Sequence, residues 1–194
     1  MTTHPVSPPA PGAPAHLAAL GRHFGDLRDG THGDAVSRQS KERLFHEAVA
    51  LLDPYARRVL REFDQEMLRG TGTVEATGAG RTPDGGLAAL WTLSWPEQRE
   101  TDIRPITLMA HYGRGFHHPH LRGATVADWP LNVFTAEQAA AEVPTLRAIA
   151  SADLHNLVFQ RDYRIVPAIV DERPGQDGRH GPDGRPGTRG REEA

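Results

Sequence analysis

The chain has 194 residues, a formal net charge of −3 and no cysteine. That length bounds it to one domain, and the missing cysteines exclude disulfides, thiolate metal sites and a cysteine nucleophile. The charge is mixed along the chain, whereas nucleic-acid binders concentrate basic residues on one face, so no nucleic-acid partner is expected. No apolar run approaches the ~20 residues of a membrane-spanning helix, and no basic segment leads into an apolar stretch as in a secretory signal. A soluble, cytoplasmic protein without a membrane partner is the expectation. Lys41 is the only lysine among the basic residues, so the many arginines reflect a compositional bias rather than individual anion clamps.

In chain order, residues 1–15 carry five prolines among alanines and small polar residues, a composition that cannot bury a core and predicts a disordered tail. A single α+β domain is expected over residues 16–171. Residues 16–27 read as a helical turn or two, followed by a loop at Asp29-Gly30-Thr31-His32-Gly33-Asp34. Leu44, Phe45, Ala48, Leu51 and Leu52, then Tyr55, Val59, Leu60, Phe63 and Met67, recur at helical spacing from Ser40 to Arg69. Asp53-Pro54 interrupts that run, predicting two consecutive helices or one kinked helix, with Gly70 as the terminal cap.

The period then falls to two. Residues 71–78 read as an edge strand and the glycine-rich segment 78–86 as a turn. In the next strand Leu87, Ala89, Trp91, Leu93 and Trp95 alternate with smaller or polar residues. Trp91 and Trp95 are expected in the core, or else lining an apolar pocket between sheet and helices. A third strand covers 103–112, with Ile106, Leu108, Ala110 and Tyr112 on one face and His111 on the other. After a loop, Thr135 and Gln138 stand at capping-box spacing before helices that end near Asp153. Residues 155–166 read as a fourth strand. The resulting expectation is α+β: a mainly antiparallel four-stranded sheet with helices packed on one face, in the order α-α-β-β-β-loop-α-β. Glycine recurs at every third residue from Gly175 to Gly190, but residues 172–194 are expected to be a disordered tail rather than a collagen-like trimer.

Chemistry points to the loop 111–128. His117, His118 and His120 fall within four residues, punctuated by glycines, with His111 before them and Asp128 after. Imidazole is the commonest ligand for zinc, copper, iron and nickel, and alternate residues of an extended segment point the same way. The candidate metal ligands are therefore His111, His117, His118, His120 and His155, with a divalent transition metal as the candidate cofactor. His4, His16, His32 and His180 read as incidental. A metal-free reading makes His118 and His120 acid–base groups oriented by Asp128, with Arg114, Arg122 and Trp129 contacting a small-molecule substrate.

Named templates are missing. No glutamate follows His120 before Glu137, no His-Glu-x-x-His stands on a helix, and neither a nucleophile elbow nor a phosphate loop occurs. Glu62 and Glu66 share a helix face with nearby arginines, which reads as a solvated, ion-paired surface. Two functions stay open. One is a small soluble enzyme with its site on loop 111–128, metal-dependent or not. The other is a non-catalytic small-molecule- or protein-binding domain with an apolar pocket. Oligomeric state is left open.

Overall fold

Residues 14–170 are described in the computed structural model of the chain. The expected tails lie outside the described residues except for Pro14 and Ala15, and Ala15 already opens a helix. No helix among the described residues is long and apolar enough to cross a membrane.

Helix α1 (Ala15–Asp29) runs for 15 residues, longer than its polar composition suggests, and stops at Gly30, whose φ of 70° suits glycine. Helix α2 (Arg38–Met67) starts at Ser37, whose hydroxyl accepts from the Ser40 amide. It is one continuous helix of 30 residues with Pro54 inside it. Proline removes one helical hydrogen bond and crowds the preceding turn. Buried Phe45, Ala48 and Leu52 before it, and Ala56, Val59 and Leu60 after it, hold one apolar face across the defect.

The sheet comprises β1 (Thr73–Ala76), β2 (Gly80–Arg81), β3 (Leu87–Ser94), β4 (Ile106–Tyr112), β5 (His120–Arg122) and β6 (Trp129–Pro130). Every pairing is antiparallel, in the order β1-β3-β4-β5-β6, with β2 also on β3. The α+β class and the open antiparallel sheet stand, but with six strands in place of four. The additions are strands of two or three residues, too short to carry an alternating pattern.

A short helix α3 (Pro96–Arg99) joins β3 to β4, and α4 (Ala136–Ala141) precedes α5 (Val143–Gln160). The expected strand at 155–166 is instead the last turns of α5 and a 3-10 turn at Tyr163–Ile165, followed by α6 (Pro167–Val170). Buried Leu146, Ile149, Ala150, Asp153, Leu154 and Leu157 recur at spacings of three and four, the helical signature. The apparent alternation beyond Leu157 failed because Phe159 and Tyr163 do not point inward; they are 79% and 50% exposed.

Leu87, Ala89, Trp91 and Leu93 of β3 and Ile106, Leu108, Ala110 and Tyr112 of β4 form the buried sheet face, packed against α2 and α5. The Trp91 indole donates to Asp53 (2.8 Å) and the Trp95 indole to the Ile165 carbonyl (2.5 Å), so both rings are core and both polar edges are satisfied. Buried Asp153 of α5 accepts from the amides of Thr107 (2.9 Å), Thr125 (2.7 Å) and Ala124 (3.3 Å), pinning the turn after β5 to the helix layer. Gly123 lies there because a Cβ would sit 3.1 Å from the Asp153 carboxylate.

Candidate metal centre

The end of the sheet carrying β5 and β6 receives α1 and the loop after it. His23 and Asp26 stand three apart on α1, so they share a face. His32 follows between Gly30 and Gly33, both at positive φ. Gly33 also lies against Phe134, whose ring would stand 3.0 Å from an added Cβ. The tight turn is closed by paired hydrogen bonds between His32 and Ala35 (2.9 and 3.1 Å).

Two cations in the first turns of α2 draw the histidine loop to this place. The Arg38 guanidinium donates to the carbonyls of Tyr112 (3.1 Å), Gly113 (3.0 Å) and Phe116 (3.3 Å) and lies 3.5 Å over the Tyr112 ring. Buried Lys41 donates to the carbonyls of Gly30 (2.9 Å) and His117 (3.3 Å). These are the chain segments that lead to His32 and His118. The one lysine thus ties together carbonyls 87 positions apart, those of Gly30 and His117. Burial pushes its ammonium below the usual lysine range.

The result is a packed group of rings. His32 and His118 are 0% and 2% exposed, with ring centroids 5.9 Å apart. His23, also buried, lies 5.0 Å from His118 and 6.1 Å from His120. Ligand-type atoms of Asp26, His32 and His118 all fall within 4.8 Å of one another. The Asp26 carboxylate is fixed by the Gly33 amide (3.0 Å), the Asn132 side-chain amide (2.9 Å) and the Thr31 hydroxyl (3.3 Å). Such outer partners are what orient a ligating carboxylate.

Most telling are the hydrogen bonds that the rings do not make. His23 Nδ1, both nitrogens of His32, both of His118 and Nδ1 of His120 are buried with no partner among the described residues. A buried polar atom that nothing meets costs about 1–3 kcal/mol, so such nitrogens are places where an ion, a water or another ligand is favoured. His32 Nδ1 comes within 3.6 Å of Asp26, beyond hydrogen-bonding range. Burial lowers the pKa of all four rings, to about 4 for His32 and for His118. Mutual repulsion and Lys41 add to burial at His32 and His118, and Asp26 opposes it. At neutral pH the rings are therefore uncharged, the form that binds metal.

The remaining candidates lie around this centre or away from it. His111 of β4 faces His120 across the β4–β5 ladder, on the sheet face opposite α2 and α5. Its Nε2 is 2.8 Å from Asp128 Oδ1, and Phe116 stands edge-on to both rings. Arg122 shares that face, opposite Met109, while Arg114 and His117 are exposed on the loop. Trp129 is on the other side, lining a 320 Å³ cavity with Val126, Pro144 and Ile149. His155 is far from the cluster in partnership: it is exposed on α5, its ring packs on Phe159 at 4.7 Å, and it lines a separate groove. That groove, about 580 Å³ between α2, α5 and α6, shares no residue with the buried rings.

His118 and His120 were visible in the sequence as a cluster; His23, Asp26 and His32 were not. The available signal was the His-x-x-Asp spacing on α1 followed by a histidine between two glycines. No protein family matches the chain, and neither a curated protein nor a solved structure does so.

Proposed function

We propose that this is a metal-binding domain in which His32, His118 and Asp26 hold one divalent transition-metal ion, with His23 as the fourth donor. The partnerless nitrogens of His23, His32 and His118 carry this reading, because one ion would take one nitrogen from each of these rings and so give three of the six orphans a partner. A histidine–carboxylate set suits zinc, and also iron or copper. Three donors and a neighbouring fourth, all from the protein and almost wholly enclosed, favour a closed centre that ties α1 and its loop to β5. An ion of this kind supplies a cross-link, and in an open site it also activates water.

Cobalt(II) is the direct probe. Added to untagged protein, it is expected to give visible ligand-field bands that zinc abolishes by competition. His32→Ala/His118→Ala should give none. Bands that persist in the double variant would move the site elsewhere, and no bands in the parent protein would remove the reading.

A second reading, a small metal-free enzyme, draws support from the His111–Asp128 pair. A carboxylate 2.8 Å from an imidazole is the arrangement that orients a general base. His120 and Arg122 flank it on the same sheet face. A panel of activated carboxylate and phosphate esters tests this. Turnover lost in His111→Ala but kept in His32→Ala/His118→Ala would favour the enzyme.

A further inference from the structure

Helix α1 turns its polar side inward and its apolar side out. Ala19 and His23 are its buried residues, and Asp26 and Arg22 bond to Asn132 from the same helix. Leu17, Phe24 and Leu27 are 51%, 56% and 48% exposed, with half-buried Leu20 between them. The spacings Leu17–Leu20–Phe24–Leu27 are three, four and three, the seam of a helix that packs on another helix.

Two glycines sharpen the point. Gly21 and Gly25 stand one turn apart inside α1, and a Cβ at either would meet nothing within 4 Å. Neither has a positive φ. Glycine weakens a helix relative to alanine, and nothing among the described residues requires it at these positions. Beside the stripe they leave gaps into which another helix could seat its side chains.

We propose that α1 is a self-association helix, pairing through this stripe with α1 of a second copy of the chain. An antiparallel two-fold near the middle of the helix sets Phe24 over the second copy's Gly21 and Leu20 over the second copy's Gly25. Because the axis repeats both contacts, each helix supplies its own knobs and its own holes. Charge permits the pairing: α1 carries two arginines and two aspartates, and Arg28 is closed on Asp29 at 2.6 Å. The chain outside the described residues does not fit the stripe. Met1 and Val6 are the only larger apolar residues in 1–13, and 171–194 has no apolar side chain beyond alanine and proline.

Sedimentation equilibrium of the untagged full chain over a wide concentration range tests the proposal. The mass should rise from one chain to two. Leu17→Gln/Phe24→Gln should raise the dissociation constant about tenfold or more, as loss of a buried aromatic contact requires. Gly21→Gln/Gly25→Gln should do the same while raising helicity and melting temperature, a combination that damage to the fold would not produce. Phe159→Gln, in the separate groove, should leave the constant unchanged. A single-chain mass at every concentration would overturn the proposal. So would an assembly larger than two chains, or a dimer that responds to Phe159→Gln and not to the α1 substitutions.

Discussion

The core between the sheet and α2 and the histidine centre beside it are buried to the same degree but completed differently. Trp91 and Trp95 are 1% and 0% exposed, and each indole N–H has an acceptor supplied by the chain. His32 and His118 are 0% and 2% exposed, and none of their ring nitrogens has one. The chain finishes its apolar core by itself. At the histidines Lys41 and Asp26 hold the surrounding segments, and the ring nitrogens have no partner among the described residues, the feature on which the proposed metal centre rests.

That contrast can be broken in four ways. The largest effect belongs to the core: Trp95→Ala should cost about 3–5 kcal/mol in a denaturant titration, with or without metal present. A comparable loss that zinc reverses would mean that the two regions are not separate.

Acid should act on the centre next. The folded-state pKa values of His32 and His118 are lowered to about 4, whereas the unfolded rings titrate near the ordinary 6.5. Between those values the unfolded chain binds more protons, so stability falls as pH drops from 6.5 towards 4. Above that window the two rings impose no penalty. In metal-free protein the loss is on the order of 3 kcal/mol for each ring. Urea midpoints measured at pH 7.5 and pH 4.5 check this, and a shallower profile in His32→Leu/His118→Leu, with His23 and His120 still contributing, identifies its source.

The orphaned nitrogens predict a third, smaller effect with an unusual sign. In metal-free protein His118→Leu removes two unsatisfied polar atoms, so stability should stay level or rise by up to about 2 kcal/mol. A large loss would show that the ring already has partners. The smallest effect is at the surface. Asp128→Asn weakens one part-exposed pair with His111 and should cost less than about 1 kcal/mol by thermal melting.

How much of this was legible in the sequence follows from the range of each interaction. The β3–β4 hairpin was readable because Leu87, Trp91, Leu93 and Trp95 fall on one side of a two-residue period after a glycine-rich turn, although Leu90 stands on the other. Helix α2 was readable from its spacing, though its continuity through Pro54 depends on packing on both sides. The end of α5 was misread because Leu157, Phe159, Tyr163 and Ile165 imitate alternation, and local pattern cannot show that Phe159 faces solvent. The histidine loop was visible as a cluster in sequence. Its partners were not, because His23 and His32 meet His118 only in the folded chain, where Lys41 bonds both Gly30 and His117. His155 shows the reverse: with its strand replaced by α5, it packs on Phe159.

Isothermal titration of zinc into untagged, chelator-treated protein, with elemental analysis of the product, tests the metal centre most directly. One zinc per chain, lost in His32→Ala/His118→Ala and retained in His111→Ala, is the expected result. No zinc bound at any concentration, or one zinc still bound by the double variant, would contradict it.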